Sequence, residues 1–168
     1  MDASIQAWID QDDANTTAII RRYGWMVRYV GGGACNVPGC EGDDNDDQPS
    51  FAYTVGMFGL GHPELLIFDV SPSTATGVLN ELGERIREGD TLIPGRPITF
   101  DQWGHRVVLE EVPNPGEIVF SANRFYRRPA VHSVDVLQVT YDDNKGLFPW
   151  DDGYVAVGNQ PRPGSFTA

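Results

Sequence analysis

The chain has 168 residues and a net charge of −12, from 24 acidic against 12 basic side chains. That length fits one domain, and 40% hydrophobic with 11% aromatic residues excludes wholesale disorder. The negative balance repels the phosphates of nucleic acids and anionic lipid head groups, so neither nucleic acid nor a membrane is expected as a partner. No stretch approaches the roughly 20 apolar residues that a membrane helix needs. Met1-Asp2-Ala3-Ser4 lacks the basic start and apolar run of a signal peptide, so a cytoplasmic location is expected. Cys35 and Cys40 then belong to a reducing compartment, where disulfides are uncommon.

The first helix is expected to start with capping oxygens from Asp12, Asp13 and Asn15, at the end where the helix dipole is positive. Ala18, Ile19 and Tyr23 can share one of its faces, and Gly24 can end it. Trp25 to Val30 alternates like a strand. Gly31-Gly32-Gly33 opens a polar loop that lasts to about Pro49, too long for a simple turn and a possible insertion. Phe51 to Val55 resumes as a strand, and Leu65 to Phe68 is an apolar run suited to burial on both faces.

Pro72 to about Glu88 is the clearest helix. Ser71 is a preferred N-cap, Pro72 sits where a missing N–H costs nothing, and Ala75, Val78, Leu79, Leu82 and Ile86 form the apolar stripe. Ile98–Phe100 and Arg106–Val112 are expected strands. A third helix is expected from Asn114 to about Arg127, with Glu117 at the capping-box spacing. Val134 to Tyr141 alternates as a last strand, Asp142–Gly146 reads as a turn, and the Gly/Pro-rich residues 153–168 read as irregular. The elements do not alternate as regular βαβ units, so the expected class is α+β: one domain, a mixed and largely antiparallel sheet, and about three helices packed on it.

The phosphate-loop, dinucleotide, nucleophile-elbow and zinc-protease motifs are all missing. Cys35 and Cys40, spaced C-x4-C in an acidic loop, can share a zinc ion, remain free thiols or close a labile disulfide; a closed zinc site needs four ligands. The Asp43–Asp47 run lacks the glycine and distant glutamate of a calcium loop and reads as a solvated face. Arg124, Tyr126, Arg127 and Arg128 are the one concentrated basic feature. Their donor forks suit a carboxylate or phosphate, and the alternative is pairing with the protein's own aspartates. His62, ahead of the buried strand, has the near-neutral pKa of an acid–base group and can equally be a hydrogen-bonded structural residue.

Phe51-Ala-Tyr-Thr-Val-Gly56, Gly61-His-Pro-Glu-Leu65, Asn123-Arg-Phe-Tyr126, Leu137-Gln138 and Gly146-Leu-Phe-Pro-Trp-Asp151 occur in this order. Over residues 24–152 the chain resembles a bacterial family catalogued only as a domain of unknown function. The resemblance implies a compact α+β protein, typically a stand-alone intracellular domain, and implies no activity. The Cys35/Cys40 loop looks like a feature of only some members.

The leading expectation is a pocket for a small anionic metabolite or nucleotide. Arg124 and Arg127 would hold the anion, Tyr53, Thr54, Tyr126 and Trp150 would line the pocket, and His62 would be the acid–base group. The motif residues Tyr53, Thr54, His62, Glu64, Tyr126, Gln138 and Trp150 would converge on one cleft. Two alternatives stand beside it. One is a non-catalytic interaction protein, such as a homodimer, anchored by exposed Trp8, Trp103 and Phe166. The other is a metal-dependent hydrolase built on Cys35 and Cys40.

Overall fold

The computed structural model describes residues 2–31 and 48–168. In chain order these hold the helix α1 (Ala3–Tyr23), the strands β1 (Met26–Val30), β2 (Phe51–Val55) and β3 (Glu64–Phe68), the helix α2 (Pro72–Arg87), the strand β4 (Val107–Glu111), the helix α3 (Phe120–Phe125) and the strand β5 (Val136–Tyr141). The strands form one sheet in the order β1-β2-β3-β5-β4, in which only β3 and β5 run parallel. The fold is α+β, with a mixed and mostly antiparallel sheet.

Strand alternation sends side chains to two separate cores. Ala52, Leu65, Ile67, Leu137 and Val139 pack on one face beneath Leu79, Leu82 and Ile86 of α2. Phe51, Tyr53, Leu66, Phe68 and Val136 pack on the other face with Val119 and Ala122. Every residue of β2, β3 and β5 is buried, as expected of strands covered on both sides. The α2 expectation holds closely: Ser71 Oγ accepts from the Thr74 N–H at 3.2 Å, and Glu81 pairs with Arg85 at 2.9 Å. Among the described residues no helix is long and apolar enough to cross a membrane.

Three expectations are corrected. The first helix begins at Ala3, where Asp2 Oδ1 accepts from the Ser4 N–H at 2.8 Å, so Asp12, Asp13 and Asn15 stand inside it rather than at its start. Its Ile19 and Tyr23 face is largely exposed, and Thr16 is its one buried residue. The third helix is broken into a 3-10 turn at Pro115–Glu117 and the short α3. The Asn114 amide is turned away from the helix backbone: its Nδ2 donates to Glu117 Oε2 at 2.9 Å and to the Phe166 carbonyl at 2.7 Å, so no side-chain cap forms. Ile98–Phe100 reduces to a single bridge between Ile98 and Val107.

The C-terminal segment contains no helix or strand, yet it is fastened to the sheet. The Gln160 side-chain amide acts as a strand partner for Tyr141, accepting from its N–H at 2.9 Å and donating to its carbonyl at 3.0 Å. Phe166 is buried against Phe51 and Phe68, with ring centroids at 5.3 and 4.9 Å, so it is no exposed anchor. Trp103 is likewise half-buried, packed on Phe100, His105 and Tyr141.

Candidate functional site

Gly56 ends β2 with φ of +137°, and a Cβ there would stand 2.7 Å from the Gly24 carbonyl oxygen and from Trp25. Only glycine fits both the angle and the approach. The chain then makes a 3-10 turn at Phe58–Leu60 and returns as β3. Glu64, completely buried at the start of β3, fills the inside of that turn. Its Oε1 accepts from the Gly56 and Phe58 N–H groups at 2.9 and 3.1 Å, and its Oε2 from Thr54 Oγ1 at 2.6 Å and the Met57 N–H at 3.1 Å. Thr54 Oγ1 in turn accepts from the Leu65 N–H at 2.9 Å. Burial pushes the Glu64 carboxyl above its ordinary value, and the four donors work in the opposite direction.

The outer side of this turn meets the residues after α3. Tyr126 Oη accepts from the Gly59 N–H at 3.2 Å, its ring meets Phe58 edge-on at 4.7 Å, and Arg128 stands 5.3 Å from the Phe58 ring centre. Burial, with the nearby Glu64 charge, pushes the Tyr126 hydroxyl up to about 12. His62 lies half-buried beside the turn; its Nδ1 carries a proton, because the atom it meets at 2.7 Å is the Pro63 carbonyl oxygen, which only accepts. Thr54, His62, Glu64 and Tyr126 are thus brought around one turn.

Tyr53, Arg124 and Arg127 diverge from it. Tyr53 points to the opposite face of β2 from Thr54, where its buried hydroxyl accepts from the Ser121 N–H at 3.0 Å. Burial raises the Tyr53 pKa, partly offset by the Ser121 bond and by the charges of Arg28 and Arg124. Arg124 reaches across to α1: Nη2 meets Asp12 Oδ2 at 2.5 Å and Nε meets Asp13 Oδ1 at 2.7 Å. Arg28, on β1, grips the same Asp12 with a two-point fork, Nη1 to Oδ1 at 3.0 Å and Nη2 to Oδ2 at 2.9 Å. Burial works against the Arg124 charge, and Asp13 and Asp12 together outweigh it, holding the guanidinium above its ordinary value. Arg127 is exposed, with φ of +54°, and does not join this cluster.

Trp150 and Gln138 belong to a third place. Trp150 is half-exposed, stacked on Phe148 at 5.1 Å with Arg162 5.3 Å from its ring centre, in a groove of about 770 Å3 that also contains Pro94, Val108, Glu110 and Pro163. Gln138 is buried and donates to the Pro161 carbonyl at 2.8 Å. The single cleft expected for all the motif residues is therefore divided among three locations. Cys35, Cys40 and Asp43–Asp47 lie outside the described residues.

Sequence reasoning passed over Arg28, and it assigned Asp12 and Asp13 to helix capping. The available signal was the spacing of Ile5, Trp8, Ile9, Asp12 and Thr16, which places both apolar and acidic side chains on one inward-facing stripe of a longer helix.

A family model described as "Domain of unknown function (DUF4262)" matches residues 19–155. The chain belongs to this family. The DUF4262 match includes Arg28, Tyr53, Thr54, Glu64, Arg124 and Tyr126, whereas Asp12 and Asp13 precede it. Comparison with curated proteins and with solved structures gives no match.

Proposed function

We propose that this DUF4262 protein binds a small molecule bearing an anionic group, at the place where Arg28 and Arg124 converge beside Tyr53. One observation carries the reading: both guanidiniums are directed at a single carboxylate, Asp12, with contacts of 2.5–3.0 Å. Two arginines preorganised on one oxyanion are the donor arrangement that suits phosphate and carboxylate groups. The charges of both arginines act on Tyr53, whose ring is buried and whose hydroxyl is held by the Ser121 N–H. Arg127, Trp150 and His62 stand apart from this group and have no part in the reading.

The test is calorimetric titration with inorganic phosphate, pyrophosphate, a dicarboxylate and nucleotides. It is run on the native chain and on a chain with Asp12 and Asp13 both changed to Asn. Binding that disappears in Arg124→Ala supports the reading. No binding of any anion by either chain, or binding indifferent to Arg124→Ala, overturns it.

A second reading, a protein-interaction module, is favoured by Phe58 and Leu60. Both are more than 40% exposed on a turn that Glu64 holds rigid from inside. It predicts a concentration-dependent mass in sedimentation that Phe58→Ser abolishes; a mass that stays monomeric across concentrations counts against self-association.

A further inference from the structure

Resting on that reading, we propose that Asp12 and Asp13 are an internal stand-in for the ligand, so that α1 occupies the Arg28–Arg124 site until a compact oxyanion displaces it. Three independent observations converge on this. First, the contacts reproduce what an oxyanion would receive. One Asp12 oxygen, Oδ2, lies 2.9 Å from Arg28 Nη2 and 2.5 Å from Arg124 Nη2, while Asp13 takes Arg124 Nε at 2.7 Å. A phosphate or a pair of carboxylates offers the same two negative charges and the same acceptor oxygens in one molecule.

Second, the donors and the acceptors come from different parts of the chain. Arg28, Tyr53 and Arg124 lie within residues 19–155, the stretch matched by the family, and both aspartates lie before it. The arginine pair thus lies within the matched stretch, and the plug is carried by the part of α1 that comes before it.

Third, α1 is held lightly. Of its 21 residues only Thr16 is buried, and Ile19 and Tyr23 are 37% and 56% exposed. Beside the half-buried Ile5, Trp8, Ile9 and Ile20, its attachment includes three acid–arginine contacts, Arg28–Asp12, Arg124–Asp12 and Arg124–Asp13. Segments with few buried apolar contacts open at low free-energy cost. A ligand that replaced both carboxylates would remove the main polar attachment of the middle of α1, and the helix would loosen from β1 and α3 without the sheet changing. The opening of α1 would therefore accompany binding, because the aspartates and the ligand compete for the same donors.

The chain with Asp12→Asn and Asp13→Asn decides the matter. Pyrophosphate and malonate are titrated separately, so that the phosphate and carboxylate sources are told apart. At least one probe is expected to bind about tenfold or more tightly to this variant than to the native chain, and adding Arg124→Ala should remove the gain. Equal, Arg124-dependent affinity in the two chains overturns the stand-in while leaving the anion-binding reading intact. Absence of binding in both overturns the two together. Should the double variant fail to fold, by far-ultraviolet circular dichroism, the native chain still answers through hydrogen exchange. Saturating pyrophosphate or malonate is expected to speed exchange of the amides of residues 3–16; unchanged or slower exchange overturns the proposal.

Discussion

Thr54 Oγ1 stands 2.6 Å from Glu64 Oε2, and through this contact two adjacent strands share one buried carboxyl. Thr54 sits near the end of β2 and Glu64 opens β3, so the pair closes the connection between them like a clasp. The Gly56, Met57 and Phe58 N–H groups, which belong to no strand ladder, find their acceptors in the same carboxyl. Without it, three backbone donors would be left unpaired, two of them in buried residues.

Glu64→Gln tests that clasp. Whichever way the amide is turned, its NH2 meets a backbone N–H that previously donated to oxygen. An orphaned buried donor costs about 1–3 kcal/mol, so the midpoint of urea unfolding should fall accordingly, and Glu64→Ala should fall further. An unchanged midpoint in Glu64→Gln would show that the carboxylate is not needed to hold the turn.

Gly56→Ala introduces both a strained backbone and an overlap with Trp25 and the Gly24 carbonyl. Loss of about 1–3 kcal/mol is expected from the backbone conformation alone. Thermal unfolding of the purified variant measures it, and native-like stability would mean that the turn can be rebuilt without glycine.

Alkaline titration reports on Tyr126. Its hydroxyl is raised from the ordinary value near 10 to about 12, so the folded protein favours the protonated form. That contribution is fully present below pH 10 and is lost as pH rises towards 12. A tyrosinate absorbance titration should contain one late component near pH 12 that is missing in Tyr126→Phe, and the native chain should lose more stability than this variant over the same interval. Identical titration curves would contradict the placement of Tyr126 against the turn.

The Arg124–Asp12 contact is partly open to solvent, with one third of the arginine side chain exposed. Screening limits such a pair, and a double-mutant cycle of Arg124→Ala with Asp12→Ala should give a coupling of roughly 0.5–1 kcal/mol that shrinks at high salt. A coupling near zero at low salt would remove the contact from the account of α1 attachment.

Phe166→Ala empties a site enclosed by Phe51 and Phe68 near the C-terminus. Truncating a buried phenylalanine typically costs about 3–5 kcal/mol, and chemical denaturation should register a loss of that order. A loss typical of a surface position would mean that the final residues are not part of the core.

Much of the fold was legible because local physics determines it. The apolar run at Leu65–Phe68 has no solvent-tolerant face, so it had to be a doubly covered strand, and β3 is one. Ser71-Pro72 with an apolar stripe leaves little alternative to a helix, and α2 begins there. The third helix was misjudged because its capping signal, Asn114 with Glu117, was correct in spacing but was diverted. The Asn114 amide is drawn to the Phe166 carbonyl, a partner far along the chain. The site was less legible for the same reason. His62, Tyr126 and Arg124 were all expected at one cleft, whereas Arg124 is drawn to the acidic stripe of α1.

The sequence alone determined whatever depends on neighbours a few residues apart: the buried strands, the α2 cap and stripe, and the family to which the chain belongs. Only the tertiary structure decided which charges meet. Asp12, Arg28 and Arg124 come from three separate elements, and no periodicity links them. Coulomb attraction acts on distance in space, and that distance is set by how α1, β1 and α3 pack. The same packing turned Glu64, an ordinary surface residue type, into a buried acceptor, and made a Gly/Pro-rich tail part of the core through Phe166.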